Sequence, residues 1–435
     1  MLGPALDVVA SMVPRIEAER RLPREVVDAF VAAGIFKLMV PRPYGGAEAP
    51  VREAIEVIEA ISRVDGSAGW CANIGMVSGT MAYFLDEATA REVYGPADAI
   101  ACGVFAPMGT AVPEGDRYRV SGRWSFASGC EYSGWRMAGV IVPGSPRPLH
   151  CLLHADQTRI VDTWDACGLR GTGSHDFLVE DALVPRARTF SLVTTSDRAF
   201  FGPAAAGIAA VSLGVARAAI DSFVAMAKVK PVPGGKHPIA SRELVQVEVA
   251  KAEARLGAAR AYLLEQAGNG IAISERARLR LAATNAVEAA VEVCSAMFRA
   301  AGGGAVYTRS PLQRYLRDAQ VVAQHIIVSS LFTTTARTSG IGGRTSRSVL
   351  IAPTANIARF WMRPSRPVPA NGFFGNSPSP IGWNRAATMS LTFQTWTHTP
   401  IRRICCGRRD SCRLATTNTI PSRCSGTSKR PSTAG

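Results

Sequence analysis

Acidic residues are scarce in one part of this sequence only. Of its 34 Asp and Glu, a single one (Asp410) lies in residues 329–435, and the last Glu is Glu292. The same segment holds 15 of the 49 Lys and Arg, so it carries +14 of the net charge of +15. Residues 1–328 are therefore close to neutral. The overall charge is thus no evidence for a nucleic-acid or membrane-surface partner of the main body.

The sequence also lacks the marks of a secreted, metal-binding or membrane protein. Asp7 interrupts the first apolar stretch, so no leader peptide is expected. The longest uncharged apolar run, residues 202–216, is shorter than the roughly 20 residues that span a membrane. The cysteines before residue 329 show no CxxC spacing, which argues against a metal site or disulfide framework. We expect a cytoplasmic enzyme with no metal, membrane or nucleic-acid partner.

Three stretches differ in hydrophobic periodicity, which predicts an α+β multi-domain protein. Residues 1–98 have helical spacing, as in "REAIEVIEAISRVD". Residues 99–195 hold short apolar runs bounded by Pro and Gly, typical of a small antiparallel barrel or sandwich. Residues 196–328 return to long helical patterns, which predict a helical bundle. These predicted helices cover 203–227, 241–268, 274–301 and 311–328.

Residues 329–435 form a segment of different composition, rich in Arg, Ser, Thr and Pro. Such a segment buries too little apolar surface to offset the entropy of ordering, so we predict disorder. The alternative is an Arg-rich nucleic-acid arm. Its arginines are spread out and few aromatics lie among them, which favours disorder.

Three motifs in this order resemble the acyl-CoA dehydrogenase fold. They are "YRVSGRWSFASG" (118–129), "GLRGTGSHDFLVEDALVP" (168–185) and "PLQRYLRDAQ" (311–320). The first resembles the flavin-contacting hairpin of that superfamily, the second its glycine-rich strand and the third its bundle helix with an Arg-Asp pair. The resemblance covers roughly residues 20–328 and implies a helical domain, a central β-barrel and a helical bundle.

Further details favour one branch of the superfamily. "SGRWSFASGCEYSGW" and "AQHIIV" are similar to segments of flavin-dependent monooxygenases. The resemblance implies the oxygenase component of a two-component aromatic hydroxylase. Such a homotetramer would take reduced FMN or FAD from a flavin reductase and hydroxylate an aromatic or polycyclic substrate. The alternatives are an acyl-CoA dehydrogenase with bound FAD and an inactive or nucleic-acid-binding homologue.

The resemblance also implies residue roles. His325 would be catalytic, taking a phenolic proton or hydrogen-bonding the activated oxygen, as an imidazole near neutrality can. Ser128 would contact the N5/O4 edge of the flavin, Trp124 would wall the ring, and Ser174 would serve the cofactor. A core histidine, a turn serine and a core tryptophan are the structural alternatives.

The remaining candidates concern the substrate and the helix 311–328. His175, Trp135 and Phe105 would line an aromatic pocket, with Met108 nearby, although core packing competes with this interpretation for each of the last three. Arg314 and Asp318 would form an ion pair or a subunit contact. Spacing on that helix would place Asp318 and His325 on one face.

The change of composition after Val328 suggests its own hypothesis. A family-like chain would continue into one more bundle helix, whereas this one turns to Arg, Ser, Thr and Pro. An out-of-frame reading of a GC-rich gene would produce such a segment. We therefore expect a frameshift near Ser329, with a lineage-specific extension or a sequence error as the alternatives.

Overall fold

Five helices form the N-terminal part of the chain. The computed structural model describes residues 2–192, 201–232, 234–268 and 272–329. The predicted tail after 329 therefore lies outside the described residues. The first helices are α1 (Leu2–Glu19), α2 (Arg24–Ala32), α3 (Val51–Val64), α4 (Gly66–Gly79) and α5 (Glu87–Tyr94).

Helices α3 and α4 show how composition sets burial. The buried face of α3 carries Ile55, Ile58 and Ile61, at helical spacing. By contrast, α4 is built mostly from Gly, Ala and Ser and is buried on nearly all sides. Its N-terminus is capped by Asp65, whose Oδ1 accepts from the Ala68 N–H at 2.9 Å. Trp70 is the one large side chain in the first turns of α4.

The central part is a seven-stranded sheet with the order β5-β6-β2-β1-β3-β4-β7. Its strands are β1 (Ala101–Glu114), β2 (Arg117–Trp124), β3 (Trp135–Ile141), β4 (Leu149–His154), β5 (Arg159–Val161), β6 (Asp176–Pro185) and β7 (Thr189–Phe190).

One strand pair differs from the predicted antiparallel arrangement. β1 and β3 are parallel, whereas the other neighbours are antiparallel. After the β1–β2 hairpin, residues 125–134 carry the chain to the other edge of β1 and reverse it. β3 therefore runs in the same direction as β1. This connecting segment includes Ser128, so the crossing places a predicted site residue at the end of the sheet.

In the part of the chain that the structure describes, four further α-helices follow: α6 (Phe201–Val229), α7 (Glu243–Gln266), α8 (Ile273–Ala301) and α9 (Pro311–Val322). Two segments, Phe201–Val229 and Ser274–Val306, are long and apolar enough to cross a membrane, with 72 % and 56 % of the apolar window buried in the protein. Helix α6 packs closely against α3 because Gly214 has no side chain at the contact. A Cβ at Gly214 would lie 2.4 Å from the Glu59 carbonyl oxygen.

The last predicted helix is too long. α9 ends at Val322, and residues 323–329 form turns. The His325 N–H donates to the Val322 carbonyl at 3.1 Å, and the Ser329 N–H donates to the His325 carbonyl at 3.0 Å. The β-branched run Ile326–Val328 has low helix propensity, and the His325 ring competes for a backbone donor. Asp318 and His325 therefore do not share a helix face.

Candidate active site

His325 lies in the turn after α9, with its ring against Trp70 of α4. The two ring centroids are 5.6 Å apart in an edge-to-face arrangement with an interplanar angle of 63°. Burial lowers the pKa of His325 to about 4, because a charged imidazolium loses its hydration there. The ring is therefore neutral at pH 7.

The hydrogen bonds of His325 select its tautomer. Its Nδ1 accepts from the Ile327 N–H at 3.3 Å. A nitrogen that accepts cannot carry the proton of a neutral imidazole, so that proton resides on Nε2. In this state His325 offers an N–H donor from its far edge.

A chain of hydroxyl groups begins on the other side of Trp70. The Trp70 Nε1–H donates to Ser128 Oγ at 2.9 Å. Ser128 Oγ is 2.7 Å from Ser174 Oγ, which is 2.7 Å from Thr172 Oγ1. Thr172 Oγ1 then donates to the Leu169 carbonyl at 2.9 Å. Trp70 thus connects His325 to three hydroxyl groups in one continuous line.

The hydrogens in this chain all point the same way. The Leu169 carbonyl can only accept, so it takes the one hydroxyl hydrogen of Thr172. Thr172 must then accept from Ser174, and Ser174 from Ser128. The Ser128 hydroxyl has one hydrogen, which goes to Ser174, and two lone pairs, of which one accepts from Trp70; the second lone pair is unused. Its remaining capacity is to accept a hydrogen bond from a donor.

Asp318 ties α9 to the loop that carries Thr172 and Ser174. Its Oδ1 accepts from the Leu169 N–H at 2.6 Å, with Leu169 in the left-handed region at φ 48°. The absence of a side chain at Gly168 allows this approach, since a Cβ there would lie 2.4 Å from the Arg317 carbonyl oxygen. Burial, and then the nearby Asp65 carboxylate, raise the pKa of Asp318 to about 7.

The predicted Arg314–Asp318 ion pair is wrong, whereas the alternative of a subunit contact stays a prediction. Arg314 Nη1 instead contacts Asp65 Oδ2 at 3.2 Å, and both side chains are nearly sealed from solvent. Asp318 uses its Oδ1 for the Leu169 N–H. Asp65 therefore caps α4 and neutralises Arg314 at once, which secures α9 against the helix that carries Trp70.

Two family models match the chain. The acyl-CoA dehydrogenase N-terminal domain matches residues 5–96 and the acyl-CoA dehydrogenase C-terminal domain matches residues 206–330. The second match ends where the acidic residues run out.

Relatives that match over most of their own length show which class of enzyme within this fold the chain resembles. The chain is 36 % identical to indole-3-acetate monooxygenase of Pseudomonas putida, over 76 % of this chain and 91 % of that protein. It is 31 % identical to the oxygenase component of an FADH2-dependent resorcinol hydroxylase of a Rhizobium species, over 74 % and 88 % of the two chains. Among solved structures, XiaF from a Streptomyces species in complex with FADH2 and glycerol matches with a TM-score of 0.70 and 27 % identity, over 74 % and 89 %.

The chain belongs to the flavin-dependent monooxygenases of the acyl-CoA dehydrogenase fold. The identity to indole-3-acetate monooxygenase and its coverage decide this. The prediction of an oxygenase component in a two-component flavin-dependent system is confirmed at the level of class. The inactive homologue and the frameshift hypothesis stay predictions, because residues after 329 lie outside the described ranges.

Trp124 of this oxygenase is sealed in the sheet core. It is 0 % exposed, stacks on Phe177 at 5.0 Å and donates its Nε1–H to the Gly139 carbonyl at 2.7 Å. Gly109 and Gly122 leave the space for its ring, since a Cβ at either would come within 3 Å of it. The geometry thus favours the core alternative over the wall of a flavin site.

His175 is held by the backbone of the neighbouring loop. Its Nδ1 accepts from the N–H groups of Thr163 and Trp164, both at 3.2 Å. Its Nε2 lies 3.8 Å from Glu131 Oε2, and the side chain is 2 % exposed. These contacts orient the segment that carries Ser174. A substrate contact at His175 stays a prediction.

The remaining substrate candidates lie in different surroundings. Trp135 is buried, with the Arg188 guanidinium 4.8 Å from its ring centroid and His154 edge-on at 5.2 Å. Phe105 is half-buried and meets Phe201 at the start of α6, edge to face at 5.6 Å. Met108 is 48 % exposed. Of these candidates, Phe105 is the one that contacts a helix of the C-terminal part, through Phe201 of α6.

Sequence reasoning missed three residues. Trp70 and Thr172 complete the line from His325 to Leu169. Phe126 is 69 % exposed at φ 67°, a left-handed conformation that is strained for an aromatic residue, and it meets Trp164 edge to face at 6.3 Å. A lone Trp in a helix of small residues was the available signal for Trp70. Nothing in the local pattern marked the other two.

Proposed function

We propose that this chain hydroxylates an aromatic substrate with reduced flavin, supplied by a separate reductase, and dioxygen. The observation that carries the proposal is the unbroken line from His325 through Trp70 to the Ser128–Ser174–Thr172 hydroxyl chain. It places a neutral histidine and an acceptor hydroxyl on two sides of one indole ring. The relatives named above act on indole-3-acetate and, in the second case, resorcinol, which are both aromatic.

The residues present fit a reduced flavin. Ser128 has a free lone pair, which suits the N5–H donor of a reduced flavin better than the bare N5 acceptor of an oxidised one. The exposed Phe126 ring beside Trp164 offers an aromatic surface two residues away. When bound, the flavin supplies the electrons and the oxygen-transfer chemistry. In our proposal Phe126 takes the role of flavin contact that the sequence suggested for Trp124.

His325 acts in this proposal as a hydrogen-bond donor. The neutral ring carries its proton on Nε2, because Nδ1 is occupied by the Ile327 N–H. With a pKa of about 4, the ring is too weak a base to take up a proton at pH 7. Of the two roles considered from the sequence, donation to the reacting oxygen therefore fits the structure better than removal of a phenolic proton.

The test uses the full chain with a flavin reductase, NADH and ¹⁸O₂. Indole-3-acetate, resorcinol and a bicyclic phenol would be offered in turn, and products would be analysed by mass spectrometry. We expect one labelled oxygen atom in the product of at least one substrate. Stoichiometric oxidised FAD in the purified protein, with oxidation of an acyl thioester, would instead establish the dehydrogenase alternative.

Assembly and location belong to the same proposal. We place the enzyme in the cytoplasm as a homotetramer. The cysteines of the described residues are all free, which suits a reducing compartment. Leu244 on α7 is 80 % exposed and Leu281 on α8 is 39 % exposed, which suits contacts between copies of the chain. Light scattering of the purified protein tests the assembly, and a monomer would exclude it.

A further inference from the structure

Arg280 of α8 is a buried cation whose hydrogen-bonding groups are poorly used. It is 6 % exposed. Its Nη2 donates to the Ile326 carbonyl at 3.5 Å, a long contact, and its Nη1 has no partner among the described residues. Within those residues no carboxylate forms an ion pair with it. Burial lowers the pKa of Arg280, as expected for a charge deprived of water.

The other buried Lys and Arg side chains in the described ranges are better satisfied. Lys37 donates to three carbonyl groups, Arg136 to two carbonyls and a hydroxyl, and Arg314 to the Asp65 carboxylate. An unpaired buried charge is costly, and replacing it by an apolar residue would often stabilise a protein. Arg280 therefore has N–H donors that are free, within the described residues, to bind an anion.

Its position connects it to the candidate active site. Ile326, which receives its one hydrogen bond, directly follows His325. On the other side, Leu279 lies beside Gly202, where a Cβ would be 3.4 Å from Leu279 Cδ2. Gly202 follows Phe201, which contacts Phe105. Arg280 is therefore hydrogen-bonded to the His325 turn, and its neighbour in sequence, Leu279, lies near the start of α6, where the aromatic pair is found.

We propose that Arg280 binds the carboxylate of an aromatic acid substrate. This inference rests on the proposed function and names its substrate class. A guanidinium presents parallel N–H donors that match a carboxylate. An arylacetate carries its anion one methylene from the ring. In this proposal the carboxylate contacts Arg280 and the ring lies towards His325, whose neighbour Ile326 accepts from Arg280.

The test compares two probes of nearly equal shape, indole-3-acetate and the neutral indole-3-acetamide. Binding of each to the full chain would be measured by calorimetry, without flavin and with reduced flavin under anaerobic conditions. We expect the wild-type chain to prefer the acid by about 10- to 100-fold, the range of a charge-assisted hydrogen bond. Arg280→Gln should abolish this preference, whereas Arg280→Lys should keep part of it.

Arg278→Gln is the matched control, because Arg278 lies on the same helix and is exposed. It should keep the full preference for the acid. Arg280→Gln should melt at or above the wild-type temperature, since it removes an unpaired buried charge. Should it fail to fold, Arg280→Met provides a second neutral variant with the same expected result.

Three outcomes would overturn the proposal: equal binding of acid and amide by the wild type, a preference that survives in Arg280→Gln, or a loss of reduced-flavin affinity in Arg280→Gln with the acid preference unchanged. The last would make Arg280 a flavin contact. An Arg280-dependent preference without any oxygen incorporation would instead support this inference while the proposed function fails.

Discussion

The sheet side and the helical side of the candidate active site contribute different groups. The end of the sheet supplies hydroxyl groups, from Ser128, Thr172 and Ser174, whose hydrogens point towards the Leu169 carbonyl. The helical side supplies ring nitrogens, from Trp70 and His325. Trp70 donates across the boundary to Ser128. The hydroxyl side can thus accept one more hydrogen bond, whereas the helical side can donate one.

Two tryptophans illustrate the same difference. Trp124 and Trp70 are 0 % and 7 % exposed, so burial does not separate them. Trp124 donates to the Gly139 carbonyl within its own sheet. Trp70 donates to a side chain of the segment that follows β2 and has a histidine ring against its edge. The role of each follows from what its indole N–H reaches.

The helical side is tested most severely at His325. His325→Ala should lower hydroxylation by about 100- to 1,000-fold, the range of a lost hydrogen-bond donor to a developing charge, while the reductase-coupled system still consumes NADH and releases peroxide. His154→Ala is the control, because His154 is half-exposed and pairs with Asp156 at 2.8 Å. Retention of more than half of the product yield in His325→Ala would remove the histidine from the mechanism.

The pair Trp70→Phe and Trp124→Phe tests the boundary itself. Trp70→Phe keeps a ring beside His325 but deprives Ser128 of its donor, so turnover should fall about 10-fold, equivalent to about 1–1.5 kcal/mol. Trp124→Phe loses a buried hydrogen bond and leaves a small cavity. It should lower the free energy of unfolding by about 2–3 kcal/mol while turnover per folded molecule is unchanged.

Urea unfolding and steady-state turnover measured on both phenylalanine variants decide the matter. If Trp70→Phe and Trp124→Phe lose similar amounts of stability and of activity, Trp70 is, like Trp124, only a packing residue.

The sheet side is tested at Ser128. Ser128→Ala should change stability by only about 0.5–1.5 kcal/mol, yet it should raise the share of NADH that ends as peroxide several-fold. Ser133→Ala is a suitable control, because Ser133 is also buried but donates to the Gly129 carbonyl at 2.9 Å. Unchanged peroxide release would leave Ser128 as a turn residue.

The smallest effect concerns Asp318, which holds the two sides together. Its carboxyl ionises near pH 3.9 when unfolded but keeps its proton to about pH 7 when folded. The native protein therefore loses stability from this group as the pH rises from about 4 to 7. Asp318→Asn can still accept from the Leu169 N–H but cannot ionise.

Melting curves at pH 5 and pH 8 test this prediction. At each pH the quantity of interest is the melting temperature of Asp318→Asn minus that of the wild type. This difference should be larger at pH 8 than at pH 5, by about 2–4 °C for each kcal/mol of stability. A difference between the two proteins that does not depend on pH would show that Asp318 titrates normally.

Much of the fold follows from local pattern. Periodicity and turn residues predicted the helix–sheet–helix order and three of the four long helices of the bundle, because burial of one face imposes a regular spacing on each element. The parallel β1–β3 pair depends on which edge of the β1–β2 hairpin the chain joins when it returns to the sheet. The end of α9 depends on a side chain competing for the backbone. Neither leaves a periodic signal.

By itself the sequence determined the order of the elements and the near-neutral charge of residues 1–328 beside the basic segment 329–435. It also pointed to Ser128, Ser174 and His325 as candidate site residues. Only the tertiary structure decided which tryptophan joins them, that Arg314 pairs with Asp65, and that Arg280 is buried beside the His325 turn. Elements follow from contacts between near neighbours in the chain. The direction of a hydrogen-bond chain, the tautomer of a histidine and the isolation of a charge depend on groups from distant segments, which meet only when the chain is folded.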